Sequence, residues 1–160
     1  MSTAIIYAST YGSTKRVAET IQKSIPGSSV FDVKKDKLDL SSFDTVILGS
    51  SIYIGQIDKQ MKNFLKTNGE TLKGKKRGIY LCCGFEENLQ TYLDANFDKE
   101  LVERVVVMTM GGEMDVQKMS FAHKMITRMV QKSEQGKNRE VVLHLEKAEE
   151  FVRRLFSQTE

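Results

Sequence analysis

Apolar positions in this chain fall into two rhythms that alternate from one end to the other. Short continuous runs are rich in β-formers and too brief for helices. They are Ala4-Ile5-Ile6-Tyr7-Ala8, Val30-Phe31-Asp32-Val33, Thr45-Val46-Ile47-Leu48, Gly78-Ile79-Tyr80-Leu81-Cys82-Cys83 and Val105-Val106-Val107-Met108. Between them apolar residues recur at helical spacing: Val17, Ala18, Ile21 and Ile25, then Ile57, Met61, Phe64 and Leu65, then Leu89, Tyr92 and Leu93. Asn68-Gly69 is expected to end the second of these helices, and two more, about 116–132 and 139–156, to close the chain. Five strands alternating with helices predict an α/β fold in three layers, an open parallel sheet covered on both faces. Crossovers should be right-handed, but periodicity leaves the strand order open. Neither a repeat nor a linker divides the 160 residues, so one domain spanning 1–160 is expected.

The first strand runs directly into Ser9-Thr10-Tyr11-Gly12-Ser13-Thr14, a hydroxyl-rich turn that opens the first helix. First-turn N–H groups lack partners within a helix, and the helix dipole favours negative charge there, so the turn suits an anion. The alternative is that Ser13 or Thr14 merely caps the helix. A dinucleotide G-x-G-x-x-G fingerprint is absent. Gly69 to Lys75 approximates a P-loop, but Lys76 stands where Ser or Thr should hold magnesium, and a strand follows where a helix should.

Composition narrows the class without naming a ligand. The chain is 40% apolar and 28% charged, ordinary globular values. Apolar runs fall well short of the roughly 18 residues of a membrane span, and with no secretory signal a cytoplasmic protein is expected. A net charge of +3 is too small to argue for nucleic acid. His123 and His144 form no metal-ligand spacing with Cys82 and Cys83, and the adjacent cysteines suit buried strand thiols better than a disulfide. Lys34-Lys35-Asp36-Lys37 reads as a solvated loop.

Ligands of open parallel sheets bind at the carboxyl ends of strands, and three of those ends are unusual here. They are Ser9 to Thr14, Gly49-Ser50-Ser51-Ile52-Tyr53-Ile54-Gly55, and Cys82 to Glu86. With Gly111-Gly112-Glu113-Met114-Asp115, they make the whole chain resemble the flavodoxin family. In particular it is similar to compact members related to the quinone-dependent protoporphyrinogen dehydrogenases. The resemblance implies a flavodoxin-like sheet of order 2-1-3-4-5 and one non-covalent FMN. Ser9, Thr10, Tyr11, Gly12, Ser13 and Thr14 would form the phosphate loop, with Tyr11 standing where many relatives have Thr. Ser50, Ser51, Ile52, Tyr53, Ile54 and Gly55 would wrap the isoalloxazine. Tyr53 would stack on it, unless it is a surface tyrosine covering a hairpin. A carbonyl near Ile54-Gly55 would accept from the reduced ring. Cys83, Gly84, Phe85 and Glu86 would line its pyrimidine side.

Such a protein would be an electron carrier serving redox partner proteins, or an FMN-dependent dehydrogenase with a porphyrinogen substrate or a quinone acceptor. A cofactor-free interaction module on the same fold is the third reading. The carrier reading meets a net basic chain where flavodoxins are typically acidic. The dehydrogenase reading meets a missing basic insertion after the fourth strand. Residues 117–132 pattern as a basic amphipathic helix, suited to packing on the sheet or to a peripheral membrane contact. A receiver domain of similar topology would need acidic residues where Ala8-Ser9 and Gly49-Ser50 stand.

Overall fold

A computed structural model describes residues 2–112 and 142–157. The expected helix at 116–132, with His123, the membrane-contact segment 117–132 and Glu113 to Asp115, lies outside these residues. Strand β1 (Thr3–Ala8) is buried along its whole length, as its unbroken apolar run requires of an interior strand. It pairs in parallel with β2 (Ser29–Asp32) on one side and with β3 (Thr45–Tyr53) on the other. Strand β5 (Lys76–Cys82) continues from β3, and β6 (Val106–Thr109) from β5, all parallel. A two-residue strand, β4 (Gln56–Ile57), folds back antiparallel on β3. The sheet order is β2-β1-β3-β5-β6, which is 2-1-3-4-5 once the short β4 is set aside.

Alternating strand residues supply two cores. Ile5, Ile47 and Tyr80 face helices α1 (Ser13–Ser24) and α5 (Lys147–Ser157), where Val17, Ile21, Phe151 and Leu155 are buried. Ile6, Leu48, Ile79 and Leu81 face α2 (Lys59–Lys73), α3 (Leu89–Asn96) and the single turn α4 (Lys99–Val102). No helix among the described residues is long and apolar enough to cross a membrane.

Three expectations are corrected. Strand β3 does not stop at Leu48 but runs on through Tyr53, because β1 still pairs with Ser50 and β5 with Ser51. Ile57 accordingly belongs to β4 and not to the helix that follows. Helix α2 passes through Asn68-Gly69 to Lys73. The Asn68 side chain bonds back to the Phe64 carbonyl (3.0 Å), and the end is fixed further on. There Arg77 donates to the carbonyls of Leu72 (2.8 Å), Lys73 (3.0 Å) and Lys75 (2.9 Å), and to those of Glu100 and Leu101 within α4. At the far end, residues 142–146 are not helical. His144 N–H donates to the Met110 carbonyl (2.7 Å) and Leu143 bridges Gly111, so the chain is spent on extending the sheet edge before α5 begins.

Gly49 and Tyr80 lie opposite each other across β3 and β5. The tyrosine ring crosses directly over the glycine, and a Cβ on Gly49 would lie 2.0 Å from Tyr80 Cζ. Ala at 49 is therefore expected to destabilise the fold by at least about 2 kcal/mol, from overpacking in a fully buried site. Urea unfolding of Gly49→Ala measures this, and an unchanged midpoint would contradict the close approach.

Candidate functional site at the carboxyl edge of the sheet

The pairs Ala8–Ser50 and Ser51–Cys82 set the ends of β1, β3 and β5 side by side. Cys83 N–H donates to the Gly111 carbonyl (2.8 Å), which adds the segment beyond β6. All three predicted loops thus occupy one edge.

In the first loop, Gly12 N–H donates to Ser9 Oγ (2.9 Å) and Gly12 turns into the left-handed region at φ 100°. That turn makes Gly12 the N-cap of α1, without a side-chain cap bond. Ser13 and Thr14 lie inside the helix, so neither serves as its cap. The first helical bond is Arg16 N–H to the Gly12 carbonyl (3.0 Å). The amides of Ser13, Thr14 and Lys15 precede it, at the positive end of the helix. Thr14 Oγ1 is buried and has no hydrogen-bond partner. Its carbonyl is held from below by Tyr80, whose fully buried hydroxyl donates to it at 2.9 Å.

The second loop is a hairpin arm and not a coil. Ile54 (φ 51°) and Gly55 (φ 72°) make a two-residue turn with both dihedrals positive, the handedness that suits a hairpin. Asn96, the last residue of α3, ties the turn to the β4 arm. Its Oδ1 accepts from Ile57 N–H (3.1 Å) and its Nδ2 donates to the Gly55 carbonyl (2.9 Å). The Gly55 carbonyl is therefore already engaged. Ser50 is buried and its Oγ accepts from Asp58 N–H (2.9 Å). Burial raises the Tyr53 hydroxyl pKa, and the neighbouring Tyr11 of the first loop adds to it.

In the third loop, burial pushes the Cys83 thiol up to about 12, with Glu86 and Glu87 contributing. Glu86 is drawn to Lys147 Nζ (3.4 Å) at the start of α5. Gly84 and Phe85 lead straight into the 3₁₀ turn Glu86–Asn88 and then α3.

Between the first two loops lies an open cavity of about 680 Å³, into which Thr10, Ser51 and Tyr53 face together with Lys34, Gln56 and Asp58. The third loop does not line it. Lys34 lies in an exposed turn, as the solvated-loop reading expects, and its ammonium pairs with Asp58 (2.9 Å). Sequence reasoning missed Lys34, Asp58 and Asn96. Only Asp58 left a signal, as an acidic residue just ahead of a helical apolar pattern. Its Oδ1 indeed accepts from Gln60 N–H (2.8 Å). Among the described residues no group of three or more His, Cys, Asp or Glu is placed to hold a metal ion.

A sheet with this winding and three loops gathered where its strands end is what the flavodoxin class displays. The family model for the flavodoxin domain matches residues 4–140, and the chain belongs to that family. Solved structures agree in fold. A short-chain flavodoxin associated with a non-canonical PDU bacterial microcompartment superposes with a TM-score of 0.60 at 13% identity, over 100% of this chain and 99% of its own. Oxidised flavodoxin 1 from Bacillus cereus gives 0.56 at 16% identity, over 100% of both chains. The Fusobacterium nucleatum flavodoxin bound to flavin mononucleotide gives 0.55 at 14% identity, over 99% of each. No curated protein matches the sequence.

Two expectations follow from the loop geometry. Ile54 is 63% exposed and β-branched in a left-handed conformation that costs such residues about 1–2 kcal/mol. Ile54→Asn should raise stability by about 1 kcal/mol in urea unfolding, and a loss of stability would show that the side chain packs. Cys83 should resist alkylation near neutral pH in the native protein. An ordinary thiol ionises near 9, and the folded one near 12. The unfolded chain thus loses the proton first, and native stability should fall as pH climbs through that window. Cys83→Ala should flatten the slope. An equally steep fall in the variant would place its cause elsewhere.

Proposed function

We propose that this edge holds one FMN and that the protein transfers electrons through it. The observation that carries the reading is the start of α1: an uncapped first turn, entered through a left-handed Gly12, with the buried Thr14 hydroxyl unpartnered. Such a turn leaves first-turn amides without helical acceptors and suits a phosphate monoester. Ser9, Thr10, Gly12, Ser13 and Thr14 would hold the phosphate, the hairpin Ser50 to Gly55 with Tyr53 would contact the ring, and Cys83 to Glu86 would close the far side. The bound flavin supplies one- and two-electron transfer, and the chain supplies orientation and exclusion of water.

Carrier chemistry fits better than a porphyrinogen dehydrogenase. The chain passes from Cys82 through Gly84-Phe85 directly to the turn at Glu86, leaving no insertion to cover a bulky second substrate. The partners are then a reductase and an acceptor protein, or a quinone, meeting an exposed ring edge near Ile54.

The test is the absorption spectrum of the purified protein with the mass of the released cofactor. Flavin absorption and the mass of FMN are expected, whereas colourless folded protein that refuses added FMN would refute the reading. Thr14→Val sharpens it. Removing an unpartnered buried hydroxyl should raise apoprotein stability by about 1 kcal/mol, while FMN binding weakens about tenfold and riboflavin binding stays constant. Equal loss for both flavins would mean that Thr14 does not serve the phosphate.

A further inference from the structure

We propose that Lys34 and Asp58 form a charge-compensated pair built into the phosphate end of the site, with Lys34 reading the phosphate and Asp58 aiming it. The inference rests on the FMN reading and extends it to two residues outside the predicted loops. The base of Lys34 is fixed. Val33 N–H donates to the Tyr7 carbonyl (2.9 Å), Lys34 N–H to Asp32 Oδ1 (2.9 Å), and Asp32 N–H to Asp36 Oδ2 (2.8 Å). From there Lys34 Nζ reaches the Ser9 carbonyl (3.1 Å), Thr10 Oγ1 (3.5 Å) and Asp58 Oδ2 (2.9 Å).

Asp58 is held just as firmly. One oxygen caps α2 through Gln60 N–H, and the other accepts from Thr10 Oγ1 (3.3 Å) and pairs with Lys34. Its side chain is only 9% exposed, against 30% for Lys34. Both line the cavity that Thr10, Ser51 and Tyr53 also face. Lys34 is solvent-facing and Asp58 is the more buried partner, so removing Lys34 leaves the Asp58 carboxylate uncompensated.

The consequence is asymmetric. A bare carboxylate bonded to Thr10 would repel a phosphate dianion. The ammonium of Lys34 cancels that field, so the pair presents a positive charge and no net negative one to the anion. Riboflavin carries no phosphate and is blind to the difference.

The experiment compares FMN and riboflavin affinities of the apoprotein, with circular dichroism and urea unfolding as fold controls. Lys34→Met should weaken FMN at least about tenfold and riboflavin less than about threefold. Asp58→Asn keeps a good helix cap and should tighten FMN about threefold. The double variant should return to within about threefold of the native value. Lys34→Gln provides a second, more soluble arm with the same expected sign. If the native protein prefers FMN over riboflavin and both Lys34 variants keep that ratio, the pair has no part in phosphate recognition. If the native protein binds neither flavin, the FMN reading itself has failed.

Discussion

The buried hydroxyl of Tyr80 bonded to the Thr14 carbonyl is the contact on which the site depends. It joins the middle of the sheet to the first turn of α1, and it exists only because Gly49 leaves room for the ring. Tyr80 also meets Phe151 of α5 edge-on, with centroids 6.3 Å apart, so one side chain connects the strand, the first helix and the last. The helix start is therefore a preorganised feature of the core and not a loop that must be ordered by a ligand. Preorganisation is what converts a row of backbone amides into affinity.

Around that fixed start the edge is organised by polar side chains from distant segments. Asn96 pins the hairpin and Asp58 ties α2 to the first loop, while Arg77 gathers the carbonyls that end α2 at the opposite edge of the sheet. Each uses hydrogen bonds to backbone groups that would otherwise be stranded at the ends of elements. The hairpin retains one unfavourable feature, a β-branched residue at positive φ on its exposed tip.

Sequence pattern disclosed much of this. The apolar runs of β1, β5 and β6 and the period of α1 were enough for the layers, and the hydroxyl-rich turn after β1 marked where α1 begins. What was illegible depended on partners remote in the chain. Gly49-Ser50-Ser51 reads locally as a loop, yet it is strand because β1 and β5 flank it on both sides. Asn68-Gly69 reads as a helix end, yet the helix continues to where Arg77 receives it. Lys34 looks like any lysine in a charged run, and only the fold brings Asp58 to it. Strand order entered through resemblance, since periodicity carries no information about neighbours.

The preorganised helix start can be watched residue by residue in an isotope-labelled apoprotein titrated with FMN and followed by amide resonances. The amides of Gly12, Ser13, Thr14 and Lys15 should shift most among backbone groups at sub-stoichiometric ligand, and inorganic phosphate should move the same set weakly. Saturable FMN binding that leaves those four amides in place, with shifts confined to other surfaces, would contradict the assignment of the helix start as the phosphate cradle.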